Sequence, residues 1–208
     1  MRIDSFSGTP DRAGRYRTVF EDGTILKLYR QTVEDFGLYT GLELTQEEYA
    51  RLCDAAGKMS AKMRAVRIVA ASNISKKDLA QRLIHKGETP EDACEAVSWM
   101  EELSLVDDSK TAQQIVMQCI SKGYGLARAK QALYEKRIPR EYWADALADY
   151  PDQQEKIVAF LRSRLDEESS DKDVKRAIDA LLRRGHSYHK IRCALDQIKL
   201  DAGNFPED

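Results

Sequence analysis

Apolar residues change their spacing once along this chain, near residue 45. Before that point they cluster with aromatic and β-branched neighbours, in Tyr16-Arg17-Thr18-Val19-Phe20 and in Ile25-Leu26-Lys27-Leu28-Tyr29. Both stretches predict strands, and Asp22-Gly23 between them can supply the positive φ angles of a hairpin turn. Asp11 and Gly14 belong to the loop before it. Two strands alone are marginal in water, so the hairpin must lean on a third segment (Ile3 to Phe6, or Leu42 to Leu44) or on a helix.

After residue 45 the period becomes helical. Thr45-Gln46-Glu47-Glu48 has the form of a capping box, in which the hydroxyl and the glutamate satisfy each other's free amides. It opens a long helix to about Ala71, with Tyr49, Leu52, Cys53, Met59, Met63, Val66 and Val69 at helical spacing. Ser75 opens the next helix, and Thr89 caps one with Pro90 at its first position, where the missing N–H costs nothing. Pro139 and Ser187 are expected to do the same later.

The helical region repeats itself. Leu79-x-x-x-Leu83-x-x-x-Gly87 is followed by Pro90, Ala93 and Val97. Ala129-x-x-x-Leu133-x-x-x-Arg137 is followed by Arg140, Trp143 and Leu147, and Ala177-x-x-x-Leu181-x-x-x-Gly185 by Tyr188, Ile191 and Leu195. The central leucines recur at roughly fifty-residue intervals, a period typical of helical solenoids in which each unit buries its apolar face against its neighbours. Each unit reads as two short helices joined by a tight turn, then a longer connector, about Asp108 to Lys122 and Asp152 to Glu168. Gly87 and Gly185 suit a left-handed helix stop; Arg137 at the same position implies another turn or a strain of roughly 1 kcal/mol.

The expected architecture is mainly α, with tandem three-helix repeats in an elongated array and a small N-terminal β-hairpin region. Its segments are 1–44 for the hairpin extension, 45–72 for a helical lead-in, and 73–122, 123–168 and 169–208 for the three repeats. An array with polar ends is expected to be monomeric.

Charge narrows the function classes. With 33 basic and 35 acidic residues the net charge is −2, so nothing draws the whole chain to nucleic acid or anionic lipid, and a basic face must be local. No apolar run approaches the ~18 residues of a membrane span, and Met1-Arg2-Ile3-Asp4 does not begin a signal peptide; the expected compartment is the cytoplasm. Cys53, Cys94, Cys119 and Cys193 have no metal spacing and lie in apolar helical patterns, which reads as reduced thiols packed as small hydrophobes.

No catalytic, cofactor or metal set emerges. Asp107-Asp108 has no third acid or histidine at ligand spacing and reads as a helix cap. His186 and His189 lack a completing acid or thiol, His85 stands alone, and Gly123-Tyr124-Gly125 is too short for a phosphate loop. Trp99 and Trp143 read as core. The remaining candidates are basic: Lys76, Lys77, Arg82 and Lys86; Arg128, Lys130, Arg137 and Arg140; Lys175, Arg176, Arg183, Arg184, Lys190 and Arg192. They avoid the leucine stripe and could form a basic ribbon that meets an acidic partner or DNA phosphates.

Four segments stand out in order: Ser75-Lys76-Lys77-Asp78-Leu79 closing at Lys86-Gly87, Leu103-Ser104-Leu105-Val106-Asp107-Asp108 leading to Ala112, Gly125-x-x-x-Ala129-x-x-x-Leu133, and Leu182-Arg183-Arg184-Gly185-His186-Ser187. Together they resemble the RecX family of RecA regulators. Thr111 and His186 stand where that family usually has aromatics. The resemblance spans about Ser75 to Leu195 and implies a protein that lies along the RecA filament on single-stranded DNA. There it would inhibit or remodel the filament without chemistry of its own. A DNA-binding repeat protein with weak direct affinity, or an adaptor for another protein, are the alternatives.

Overall fold

The computed structural model describes residues 1–166 and 168–202. Among them are a three-stranded antiparallel sheet, ten α-helices and one 3-10 turn, and the chain divides into two compact units, 1–106 and 107–208. No described helix is long and apolar enough to cross a membrane.

In the first unit, β1 (Ile3–Phe6), β2 (Arg15–Phe20) and β3 (Ile25–Tyr29) pair in chain order, with Gly23 at φ 83° in the hairpin turn. Both expected supports are used at once. Ile3–Phe6 pairs with β2, and the 41–44 backbone bonds back to residues 1–3 through Ile3 N–H to Leu42 O and Leu44 N–H to Met1 O. After α1 (Arg30–Asp35) comes α2 (Gln46–Ala71), whose capping box is complete at Thr45 and Glu48.

The first half of α2 covers the sheet. Leu52 joins Ile3, Phe20, Leu28, Leu38 and Leu44 in one core, and Tyr49 meets the Phe20 ring edge-on at 5.1 Å. The second half contributes Ala61 and Ala65 to a separate core with α3 (Lys76–His85) and α4 (Pro90–Glu102). Small residues let the helices approach: a Cβ at Gly57 would come within 2.8 Å of the Asp92 carboxylate on α4.

The second unit contains two more bundles. Residues of α5 (Asp108–Ser121), α6 (Leu126–Glu135), the 3-10 turn Arg140–Tyr142 and α7 (Trp143–Leu147) share one core. Those of α8 (Gln154–Arg162), α9 (Asp171–Arg183) and α10 (Tyr188–Ala202) share another. In all three bundles the helix that precedes the leucine pair belongs to the same core as that pair, whereas the segments expected from spacing end on that helix.

The equivalence of the three units is visible at their turns. Leu83, Leu133 and Leu181 are all buried at 0–1% exposure. Five residues on, Glu88, Ile138 and His186 each donate an N–H to the leucine carbonyl, and Gly87, Arg137 and Gly185 lie at φ 94°, 56° and 84°. This is one helix-stop motif used three times, and Arg137 holds it with a side chain in the left-handed region.

Three expectations need correction. The second connector is shorter than Asp152 to Glu168: α8 ends at Arg162, where Ser163 takes the C-cap and Leu165 N–H bonds to the Leu161 carbonyl. Residue 167 of that stretch, and residues 203–208 of the third segment, lie outside the described residues. Pro139 precedes a 3-10 turn rather than occupying a helix's first position. Of the cysteines, Cys119 is buried and Cys53 half-buried, but Cys94 and Cys193 are exposed, because they fall on the outward side of their helices.

Candidate partner-binding surfaces

Each unit places basic residues differently. In the first, Arg82 and Lys86 of the expected set line one groove of about 450 Å³ together with Arg15, Arg64 and Arg67. No acid lines it. Arg15 comes from β2, Arg64 and Arg67 from α2, Arg82 from α3 and Lys86 from its C-cap, so strand and helix packing assemble the cluster.

Four of the cations are held by partners that are not part of the groove's lining. Arg15 donates twice to Asp11 Oδ2, at 3.0 and 2.8 Å, and these bonds bring the exposed Asp11 carboxyl down to about 2. Arg64 pairs with Glu88 at 2.9 Å and donates to the Lys86 carbonyl, while Glu88 also accepts from Ser60. Both terminal nitrogens of Arg67 lie 3.3 Å from the Tyr29 hydroxyl. Arg82 pairs with Asp78 at 3.1 Å. The remaining two expected residues of this unit lie elsewhere: Lys76 pairs with Glu101 at 2.8 Å, and Lys77 is exposed.

The sequence reading missed Arg15, Arg64 and Arg67. Arg64 and Arg67 are three apart and so share a helix face, a signal that was present. Nothing local in the sequence attaches Arg15 to them.

In the second unit the basic residues are more dispersed. Arg128 bonds Glu135 at 3.0 Å and holds that carboxyl below the usual range. Lys190 pairs with Asp152 at 2.8 Å with the same effect. Arg176 pairs with Asp173 at 3.2 Å. Arg184 stacks over Phe160 at 4.2 Å and Arg140 lies 5.8 Å from the Trp143 ring centroid, contacts that are partly structural. Lys130, Arg137, Lys175, Arg183 and Arg192 are exposed. Of the expected residues here, Lys130 and Lys190 line a common cavity.

Asp107, His186 and the 123–125 glycine segment have structural roles. Asp107 caps α5 by accepting from Lys110 N–H at 3.0 Å, which depresses its pKa. His186 is buried and its Nε2 lies 2.9 Å from the Gly123 carbonyl, a bond in which the ring donates; burial lowers its pKa. The glycine segment is a packing device: Gly125 N–H donates to Arg184 O, and a Cβ on Gly125 would meet the Gly185 carbonyl at 2.1 Å. Trp143 Nε1 donates to Ile138 O, and Trp99 packs on the first bundle's core. Among the described residues no group of three metal-ligating side chains converges.

No family model matches the chain. It is 29% identical over 150 residues to the Regulatory protein RecX of Clostridioides difficile (strain 630), covering 71% of this chain and 68% of that one. It is 27% identical over 143 residues to the Regulatory protein RecX of Vibrio parahaemolyticus serotype O3:K6, covering 67% and 92%. Among solved structures, the crystal structure of a regulatory protein RecX superposes with a TM-score of 0.64 at 19% identity, over 94% of this chain and 98% of that one. The relatives by sequence and the neighbour by fold are alike RecX proteins, and together they support a place for this chain in the RecX family.

Proposed function

We propose that this protein binds RecA filaments on single-stranded DNA and inhibits or remodels them, acting in the cytoplasm to modulate recombination, DNA repair and the SOS response. It does so by occupying surface, without chemistry of its own. Its relatives carry the name of a regulatory protein, which supports a binding role over an enzymatic one.

The observation that carries the reading within this chain is the groove of the first unit. Five cations from three elements face one space without an acid among them, so the groove favours an anionic partner surface such as filament-bound DNA phosphates or acidic side chains. The partners that orient these arginines reduce their mobility and so the entropy lost on binding.

The test is RecA ATPase on single-stranded DNA with this protein added below the molar amount of RecA. Slower hydrolysis and shorter filaments are the expected result; no effect at several-fold excess over RecA would remove the proposal. The same groove favours one second reading, direct DNA binding. If that reading held, affinity for bare DNA would fall steeply with salt and would account for the ATPase effect without a RecA contact.

A further inference from the structure

One histidine and one cysteine of α10 meet on the outside of the second unit. His189 and Cys193 are four apart, which places them on one face of the helix. Each is two positions from Ile191, which is buried at 0% exposure, and two positions turn a helix by about 200°. The pair therefore straddles the middle of the outward face, and both residues are exposed. Cys193 Sγ lies 3.8 Å from His189 Nε2. The sequence sets His189 beside His186, yet His186 is buried against the Gly123 carbonyl and His189 meets Cys193 instead. The neighbouring cations have partners of their own: Arg192 bonds to Tyr188, and Lys190 pairs with Asp152.

As a hydrogen bond this thiol–imidazole contact is long and weak. Its spacing suits a stronger interaction. Zinc binds thiolate sulfur at about 2.3 Å and imidazole nitrogen at about 2.0–2.1 Å, so a tetrahedral angle separates the two atoms by about 3.6 Å. Sγ and Nε2 stand close to that separation, within reach of a small adjustment of two exposed side chains. They also share one side of the helix, so a single ion can meet both.

Two ligands fill only half of a tetrahedral shell, and no third ligating side chain joins them among the described residues. The site is incomplete within one chain. A second copy offers the same pair on the same exposed face, and together the two copies supply two sulfurs and two nitrogens, a full structural zinc set. We propose that His189 and Cys193 form half of a zinc site that a second copy of this chain completes, so that the ion joins two chains through α10. Each thiol releases its proton to solvent and binds as thiolate, and each neutral imidazole binds through Nε2. One Zn²⁺ thus displaces two protons, its charge is balanced by the two thiolates, and no electron is transferred. The assignment is independent of the basic groove in the first unit.

The experiment titrates zinc chloride into the full chain, kept reduced by a phosphine, and follows mass by analytical ultracentrifugation. Cobalt(II) in a parallel titration reports the ligands by absorption. One zinc per two chains is expected, with a shift from monomer to dimer that a chelator reverses. Cobalt should give the strong visible bands of a tetrahedral ion and a thiolate charge-transfer band in the near ultraviolet. The dimer should weaken as pH falls below about 7, because protons compete for all four ligands. Cys193→Ser and His189→Ala should each abolish the zinc-linked dimer while leaving helical content unchanged, since both side chains are exposed. Cys94→Ser, at the exposed cysteine of the first unit, should leave the dimer intact. Zinc bound one per chain without a change in mass, a zinc-linked dimer that survives in Cys193→Ser, or no zinc binding would each overturn the assignment.

Discussion

In the first unit, arginines from β2, α2 and α3 line one groove, and the acids they pair with are not part of its lining. In the second, Arg128, Arg176 and Lys190 are tied to local carboxylates, and Arg184 rests on Phe160. The cores do not differ in this way: Leu83, Leu133 and Leu181 are equally buried and close the same turn. Repetition therefore constrains what a helix buries and leaves its outer face free to diverge. A basic residue at an equivalent repeat position need not have an equivalent role.

The comparison can be broken first at the core. Leu133→Ala should cost about 2–5 kcal/mol by chemical denaturation, with Leu83→Ala and Leu181→Ala in the same range. A value below about 1 kcal/mol at any one of them would separate that bundle from the others. Next in size is the groove. Arg82→Glu with Lys86→Glu should weaken filament binding by about ten- to a hundredfold, while Arg183→Glu, on the second unit, should change it far less. Helical content, read by circular dichroism, should stay as in the parent for both, because these side chains are exposed.

Smaller effects sharpen the comparison of turns. Arg137→Gly should stabilise the second bundle by about 0.5–1 kcal/mol by relieving the left-handed conformation, an option the other two turns already use. The third turn has a pH dependence the first two lack. His186 has its pKa lowered by burial, so the unfolded chain takes up a proton there before the folded one does. Stability should be full above about pH 6.5 and decline as pH falls from there toward the lowered folded value. His186→Gln, which keeps a donor for Gly123, should remove that dependence in melting curves recorded between pH 5 and 7.5.

Much of this was legible in the sequence because its causes are local. The Thr45 capping box, the Thr89-Pro90 start and the Asp107 cap involve residues three apart, and the leucine spacing encodes the turns directly. What the sequence hid depends on contacts between distant segments. Arg15 reaches the groove only because β3 and the 41–44 segment fix the sheet against α2. The burial of Gln153 is equally invisible, since nothing in Asp152-Gln153-Gln154 distinguishes the buried amide from its neighbour. The second connector was overestimated because Arg164, Leu165 and Asp166 carry no proline or glycine to announce the stop.

The proposed regulatory contact is made by the acid-free groove of the first unit. The most direct measurement is RecA ATPase on single-stranded DNA, comparing the parent chain with Arg82→Glu/Lys86→Glu at equal concentrations below that of RecA. The parent is expected to slow hydrolysis and the folded double variant to leave it unchanged. Equal inhibition by the two would contradict it.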